Sequence, residues 1–295
     1  TSRLGTWRCC IIFMTGEGVA GFRMTVANVF SGLWLIGIGP GNLQQMTLEA
    51  KEIAIRCSKR YLEGYTAILP KDQEDVLENI VGTWEKVMRE EIENPRKILD
   101  EAKNESVCIL VVGDPMQATT HVDLEMHCHD EGIEFNIIPG LSATSLAVSM
   151  SGLQSYKFGR QVTLPYAYGN YLATSPLKLI QKNQINNLHT LILFDLDPSG
   201  MGVEVPQPMK PSEAIEILQK MYKKLNLEED VLNLESPITW NGILLSDLGT
   251  KEQKIISGTL GELSTQDRGN IHCMIIPANF SEMEKEAFNR RRMVE

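Results

Sequence analysis

The chain has 295 residues, 43% of them hydrophobic, and a formal net charge of -10, which allows two ordinary packed domains. The carboxylate surplus opposes the counterion release that draws proteins onto phosphate backbones and so disfavours a nucleic-acid partner. None of Cys9, Cys10, Cys57, Cys108, Cys128 and Cys273 falls in a CxxC pair, and no apolar run reaches the roughly 18 residues that a bilayer crossing needs; both features suit a reduced, cytoplasmic protein without a membrane span.

Residues 1–31 read as an N-terminal extension outside the folded body, with Met24 a candidate start; the short "CCIIFM" run, followed by Gly16 and Glu17, is a poor signal peptide. A first α/β domain is expected over 32–150. Leu33 to Ile36 make a buried strand, and Gly37, Gly39 and Gly41 then free the backbone for a tight turn. In "QQMTLEAKEIAIRCSK" a helical stripe recurs at Met46, Ala50, Ile53, Ala54 and Cys57, with Thr47 as its cap. "RYLEGY" reads as a second strand ending at Glu63, and residues 70–106 carry two charged helices, the second broken or started at Pro95. Strand "SVCILVV", helix "ATTHVDLEMHCHDEG" stopped by Gly132, strand "IEFNII" and helix "LSATSLAVSMSG" follow. Strands alternating with helices pair in parallel through right-handed crossovers.

A second α/β domain is expected over 151–281, with a partly antiparallel sheet. Its strands are "QVTLPYA", "HTLILFDL", "GILLSDL" and "CMIIPA", and its helices "SPLKLIQKNQI" and "SEAIEILQKMYKKL". Pro198, Pro206, Pro208 and Pro211 make 197–212 a surface loop. Residues 282–295, ending in "RRRMVE", read as a polar tail.

"GIGPGN" between a strand and a helix, with Glu63 at the end of the next strand, is the arrangement a nucleotide fold uses to hold a ribose, although Pro40 removes one N–H from the turn. No GxxxxGK[ST] occurs, so a P-loop is absent. In "GDPMQATTH" a buried strand runs out into Asp114, at the edge where open sheets bind ligands. Asp114 either faces that ligand or starts the turn before Pro115, and Thr119 and Thr120 are available to cap the next helix. His121, Asp123, His127, Cys128 and His129 do not converge on one helix face, so no metal is expected. No Ser/His/Asp or Cys/His set stands out, and His189 and His272 open strands as core histidines.

"LWLIGIGPGN", "VVGDPMQATTH", "PGLSATSLAVSMSGLQSYKFG" and "LHTLILFDLD" together resemble the tetrapyrrole methylase superfamily. "GDPxxATTH", "GLQxYKFG", "GNYxxTS" and "LHTLxxxD" are similar to its diphthine synthase branch. The resemblance runs from about Leu33 to Phe280 and is strongest between Val107 and Asp195. It implies two αβα domains with a cleft for S-adenosylmethionine between them, commonly in a homodimer. The implied activity methylates the amine, and in eukaryotic members also the carboxylate, of a 3-amino-3-carboxypropyl-histidine on translation elongation factor 2. By motif, the resemblance places Pro40, Asp114, Gln117, Ser142, Ala143, Phe194, Ser246 and His272 at the cofactor, with no acid/base dyad.

Gln117 stands where the family mostly has a small or apolar residue, "PGLSAT" is similar to the porphyrin and cobalamin branch, and "SDLG" replaces the usual Ala-Arg pair. Two alternatives therefore stay open: a methyltransferase acting on a tetrapyrrole, and a catalytically inert cofactor-binding protein of the same fold.

Overall fold

The computed structural model describes residues 31–169, 171–199, 205–227 and 235–292. Residues 1–30 of the expected extension and 200–204 of the expected loop lie outside the described residues. The described chain forms two five-stranded sheets.

The first sheet is parallel throughout, in the order β3-β2-β4-β1-β5. Its strands are β1 (Gly32–Gly37), β2 (Lys59–Glu63), β3 (Glu85–Val87), β4 (Ser106–Val111) and β5 (Phe135–Ile138). Central β1 and β4 are buried on both faces, which is why they read as unbroken apolar runs. Alternate residues serve opposite cores: Leu33 and Leu35 pack with Val107 and Ile109, while Trp34 and Ile36 pack with Cys108 and Leu110. Helices α1 (Leu48–Arg56), α2 (Lys71–Val81), α3 (Arg89–Glu93), α4 (Arg96–Ala102) and α5 (Val122–Glu131) connect these strands. Thr47 Oγ1 accepts the Ala50 N–H at 3.1 Å and so caps α1, as its spacing predicts.

The second sheet has the order β6-β7-β10-β8-β9. It comprises β6 (Val162–Leu164), β7 (Thr190–Phe194), β8 (Asn241–Ser246), β9 (Lys254–Thr259) and β10 (His272–Ile276). β6 and β7 pair in parallel and the remaining pairs are antiparallel. One face packs under α7 (Ser175–Ile185), α8 (Pro211–Leu227) and the short α9 (Leu260–Leu263). The other face packs against α6 (Ala143–Ser151) through Leu146 and Ala147, and against α10 (Glu282–Arg290) through Phe288.

Several elements differ from expectation. β3 and β9 are edge strands: β3 exposes Glu85 and Lys86, and β9 opens on exposed Lys254 with Ile255 and Ile256 only half-buried, so neither carries the apolar signal of an interior strand. α5 begins at Val122 and not at residue 118, because Ala118 takes a left-handed φ of 58° and His121 Nδ1 bonds back to Pro115 O. Its cap has no side-chain bond, and Thr119 Oγ1 donates to Pro115 O instead. The expected polar tail includes α10, where two buried side chains in an otherwise charged helix hold it to the sheet. α6, expected within the first domain, packs on the second sheet. Cys57, Cys108, Cys128 and Cys273 are free and buried, and no described helix is long and apolar enough to cross a membrane.

Candidate functional site

The carboxyl ends of β1, β4 and β5 meet at unusually close range. Gly39 and Gly113 exchange backbone hydrogen bonds at 3.3 and 2.7 Å. A Cβ on Gly140 would lie 2.1 Å from Gly113 O, so only glycine lets the β5 loop sit there. Asp114 ties this junction together: Oδ1 accepts the Met116 N–H at 2.9 Å and Oδ2 the Gly140 N–H at 3.1 Å. Its two readings are therefore compatible, since the carboxylate orders the turn and also lines a cavity.

That cavity, about 640 Å3, lies between the loop ends of the two sheets. Pro40, Asp114, Gln117, Ser142, Ala143, Phe194 and His272 all line it. Ser246 is outside the lining; it is buried behind His272, with its Oγ 2.8 Å from His272 Nδ1. Burial pulls the His272 pKa down against the raising effect of Asp247 and Asp267, so the cavity wall carries a neutral imidazole. Ser142 also caps α6, its Oγ accepting the Thr144 N–H at 3.2 Å. Gly249, at a φ of 78°, presses onto Pro40 so closely that a Cβ would fall 2.3 Å from Pro40 Cγ, which joins the β8 loop to the glycine turn.

Sequence reasoning missed Asp247 and Ala118 in this wall. Both hold left-handed backbone, with φ of 49° and 58°, a strain that gathers at ligand sites but leaves no period in the sequence. Asp247 is kept there by the Asn270 and Ile271 N–H groups, each 3.0 Å from Oδ1. Glu63, a ribose candidate by position, is 1% exposed, and its Oε1 accepts the Tyr65 and Thr66 N–H groups while Oε2 accepts the Thr66 hydroxyl. Its carboxylate is committed to the turn after β2 and is not part of the lining.

A smaller chamber of about 200 Å3 adjoins the cavity and shares Thr66, Ala118, Leu193, Phe194 and Leu196 with it. Tyr65, Arg89, Asp195 and Asp197 are among its walls. Among the described residues no cluster of His, Cys, Asp and Glu is arranged to hold a metal.

His189 and Lys157 lie elsewhere. Both meet the buried Glu284: His189 Nε2 donates to Oε1 at 2.9 Å and Lys157 Nζ to Oε2 at 2.7 Å. The Gln154 and Ser281 N–H groups complete the set at 3.0 and 2.8 Å. "YKFG" and "LHTL" therefore secure α10 to the second sheet.

Comparison with known proteins agrees with this architecture. The family described as tetrapyrrole (corrin/porphyrin) methylases matches residues 32–264. A diphthine synthase of Methanocaldococcus jannaschii is 32% identical over 258 residues, covering 86% of this chain and 96% of its own length. A human diphthine methyl ester synthase is 34% identical over 259 residues, covering 83% and 89%. A crystal structure of a candidate diphthine synthase from Entamoeba histolytica superposes with a TM-score of 0.79 at 29% identity, over 90% of this chain and 100% of that one.

Proposed function

The chain belongs to the tetrapyrrole methylase family and is a methyltransferase homologous to diphthine synthases, and on that premise we propose that it carries out the methylation step of diphthamide synthesis with S-adenosylmethionine. The acceptor is the 3-amino-3-carboxypropyl group on a histidine of translation elongation factor 2, in the cytoplasm, and the enzyme acts as a homodimer. The observation that carries this reading is the convergence of the glycine turn, the GDP turn, the start of α6, β7 and β10 on one cavity.

The cavity suits such a cofactor. Its 640 Å3 is within the usual range for ligand pockets of about 300–1,000 Å3. Glu74, Asp114 and Asp247 outnumber Lys71 among its charged walls, which favours a cation over an anion. When bound, S-adenosylmethionine supplies a methyl group on a sulfonium, which moves to the acceptor nitrogen as the C–S bond breaks, leaving a neutral thioether while the amine gives up a proton.

What remains for the protein is positioning. Backbone loops fixed by Asp114 and the Gly39–Gly113 bridge set one wall, and Ser246 fixes the His272 ring in the other. Neutral His272 adds a polar contact without repelling a cation. An in-line transfer between groups so held needs no acid/base dyad beyond loss of the amine proton, and a shaped cavity that excludes water supplies the rest.

The test is intact-mass spectrometry of elongation factor 2 carrying the unmethylated intermediate, incubated with the protein and S-adenosylmethionine. Each turnover should add one CH2 unit. Cofactor binding without mass gain would mark an inert protein, and methylation of a porphyrin precursor instead would assign the tetrapyrrole activity.

A further inference from the structure

The smaller chamber has walls of opposite charge. Arg89 opens α3 on the first sheet's side, its guanidinium carbon 5.4 Å from the centre of the Tyr65 ring. Its side chain is 43% exposed, and its contact to Glu93, one helical turn on, is long at 3.7 Å, a surface pair of small energetic weight. A guanidinium so held can turn to a better acid, and its fork matches a carboxylate.

The carboxyl end of β7 supplies another part of the lining. Asp195 Oδ1 accepts the Leu196 and Asp197 N–H groups at 2.8 and 3.1 Å, and Oδ2 accepts the Tyr168 hydroxyl at 3.0 Å. The carboxylate is thereby fixed in place. Burial, with Glu63 adding to it at Tyr65 and Asp195 at Tyr168, pushes both phenols up to about 12. Both phenols stay neutral, and Arg89 already sits over the Tyr65 ring.

At about 200 Å3 the chamber is too small for a tetrapyrrole and large enough for a group of amino-acid size. A guanidinium and a fixed carboxylate lining one chamber match a group that bears an ammonium and a carboxylate on one carbon. We propose that this chamber holds the aminocarboxyl end of the acceptor, with Arg89 on its carboxylate and Asp195 beside its nitrogen. The assignment rests on the acceptor proposed above. The nitrogen would then face the shared wall at Phe194, across which the large cavity opens. Each methylated product is again a cation, so the same anionic wall retains it for the next transfer.

The amino-acid end of S-adenosylmethionine has the same chemistry, and the experiment separates the two sources. Arg89→Met and Arg89→Lys are compared with the unaltered protein in two titrations: calorimetry with S-adenosylhomocysteine, and initial rates against elongation factor 2 carrying the intermediate. Arg89→Met should raise KM for the protein acceptor about tenfold or more, roughly 1.4 kcal/mol, with S-adenosylhomocysteine affinity within about twofold and part of the loss recovered by Arg89→Lys. An unchanged acceptor KM would overturn the assignment. So would an equal loss of S-adenosylhomocysteine affinity, which would give the chamber to the cofactor. If the unaltered protein fails to methylate the acceptor, the function proposed above falls and takes this assignment with it, whereas turnover indifferent to Arg89 removes the chamber assignment alone.

Discussion

Replacing Glu284 with alanine tests whether the segments "YKFG" and "LHTL" serve the fold and not the ligand. Glu284 is 1% exposed, and its carboxylate accepts from Lys157 Nζ, His189 Nε2 and the Gln154 and Ser281 N–H groups. Burial alone would raise its pKa; those four partners outweigh burial and hold the carboxyl well below the usual range. Removing it leaves an ammonium whose side chain is only 17% exposed, a buried His189 Nε2–H and two half-buried backbone N–H groups without their acceptor. Loss of one partner from a buried ion pair costs about 3–5 kcal/mol. At about 2–4 °C per kcal/mol for chains near this size, the melting temperature should fall by roughly 6–20 °C. Glu284→Gln keeps the volume and one oxygen and should lose less, about 1–3 kcal/mol. Adding Lys157→Met to Glu284→Ala should cost less than the sum of the single changes, with a coupling of about 0.5–3 kcal/mol. Calorimetric melting measures the first effect, and S-adenosylhomocysteine affinity below the transition should stay within about twofold, since none of these residues lines the cavity. A melting temperature unmoved by Glu284→Ala, or a loss of affinity at constant stability, would refute this reasoning.

Other outcomes follow from the same contacts. Gly249→Ala forces a side chain onto left-handed backbone and into Pro40, so it should destabilise by more than about 1 kcal/mol and weaken S-adenosylhomocysteine binding; equal melting curves and equal affinity would deny the loop contact its role. Asp114→Ala removes the acceptor for the Met116 and Gly140 N–H groups and should weaken that binding about tenfold, roughly 1.4 kcal/mol, in calorimetric titration, whereas unchanged affinity would reduce Asp114 to a turn former. Acidification should act in two stages. Burial lowers the pKa of His189 and His272 in the fold, so the unfolded chain binds protons first, and stability present above the ordinary histidine value near 6.5 declines as pH falls below it. Glu284, also held low, adds a second decline below the ordinary carboxyl value of 4.5. A melting temperature constant from about pH 7 to pH 5.5 would contradict the first stage.

Interior strands were legible because burial on both faces writes an unbroken apolar run, as in β1 and β4, and α7 was legible from Ser175 to Ile185 because Pro176 marks its first turn. β3 and β9 were not, since an edge strand has half its surroundings in solvent. α10 was hidden for a related reason: its two buried contacts, Glu284 and Phe288, sit in a sequence otherwise fit for solvent. The GDP turn announced itself through a carboxylate placed directly after a buried strand. Asp247 did not, because what brings it to the cavity is a backbone angle and the N–H groups of Asn270 and Ile271, residues far away in the sequence. Glu63 shows the opposite failure. Its position suggested a ribose contact, while the following N–H groups had a prior claim on it.

These outcomes share a cause. The site is made where two sheets present loop ends to each other, and the decisive contacts are backbone approaches that glycine permits: Gly140 on Gly113 within the first sheet, and Gly249 on Pro40 between the two. Carboxylates then secure those approaches, Asp114 at the first and Asp247 beside the second. A transfer that relies on placing two reactants in line places its demands on the spacing of such walls more than on the acidity of any side chain. Ser246 lies behind this wall without touching the cavity. By bonding Nδ1 it fixes the face that His272 presents, so its removal would leave the imidazole in the wall but free its ring to turn.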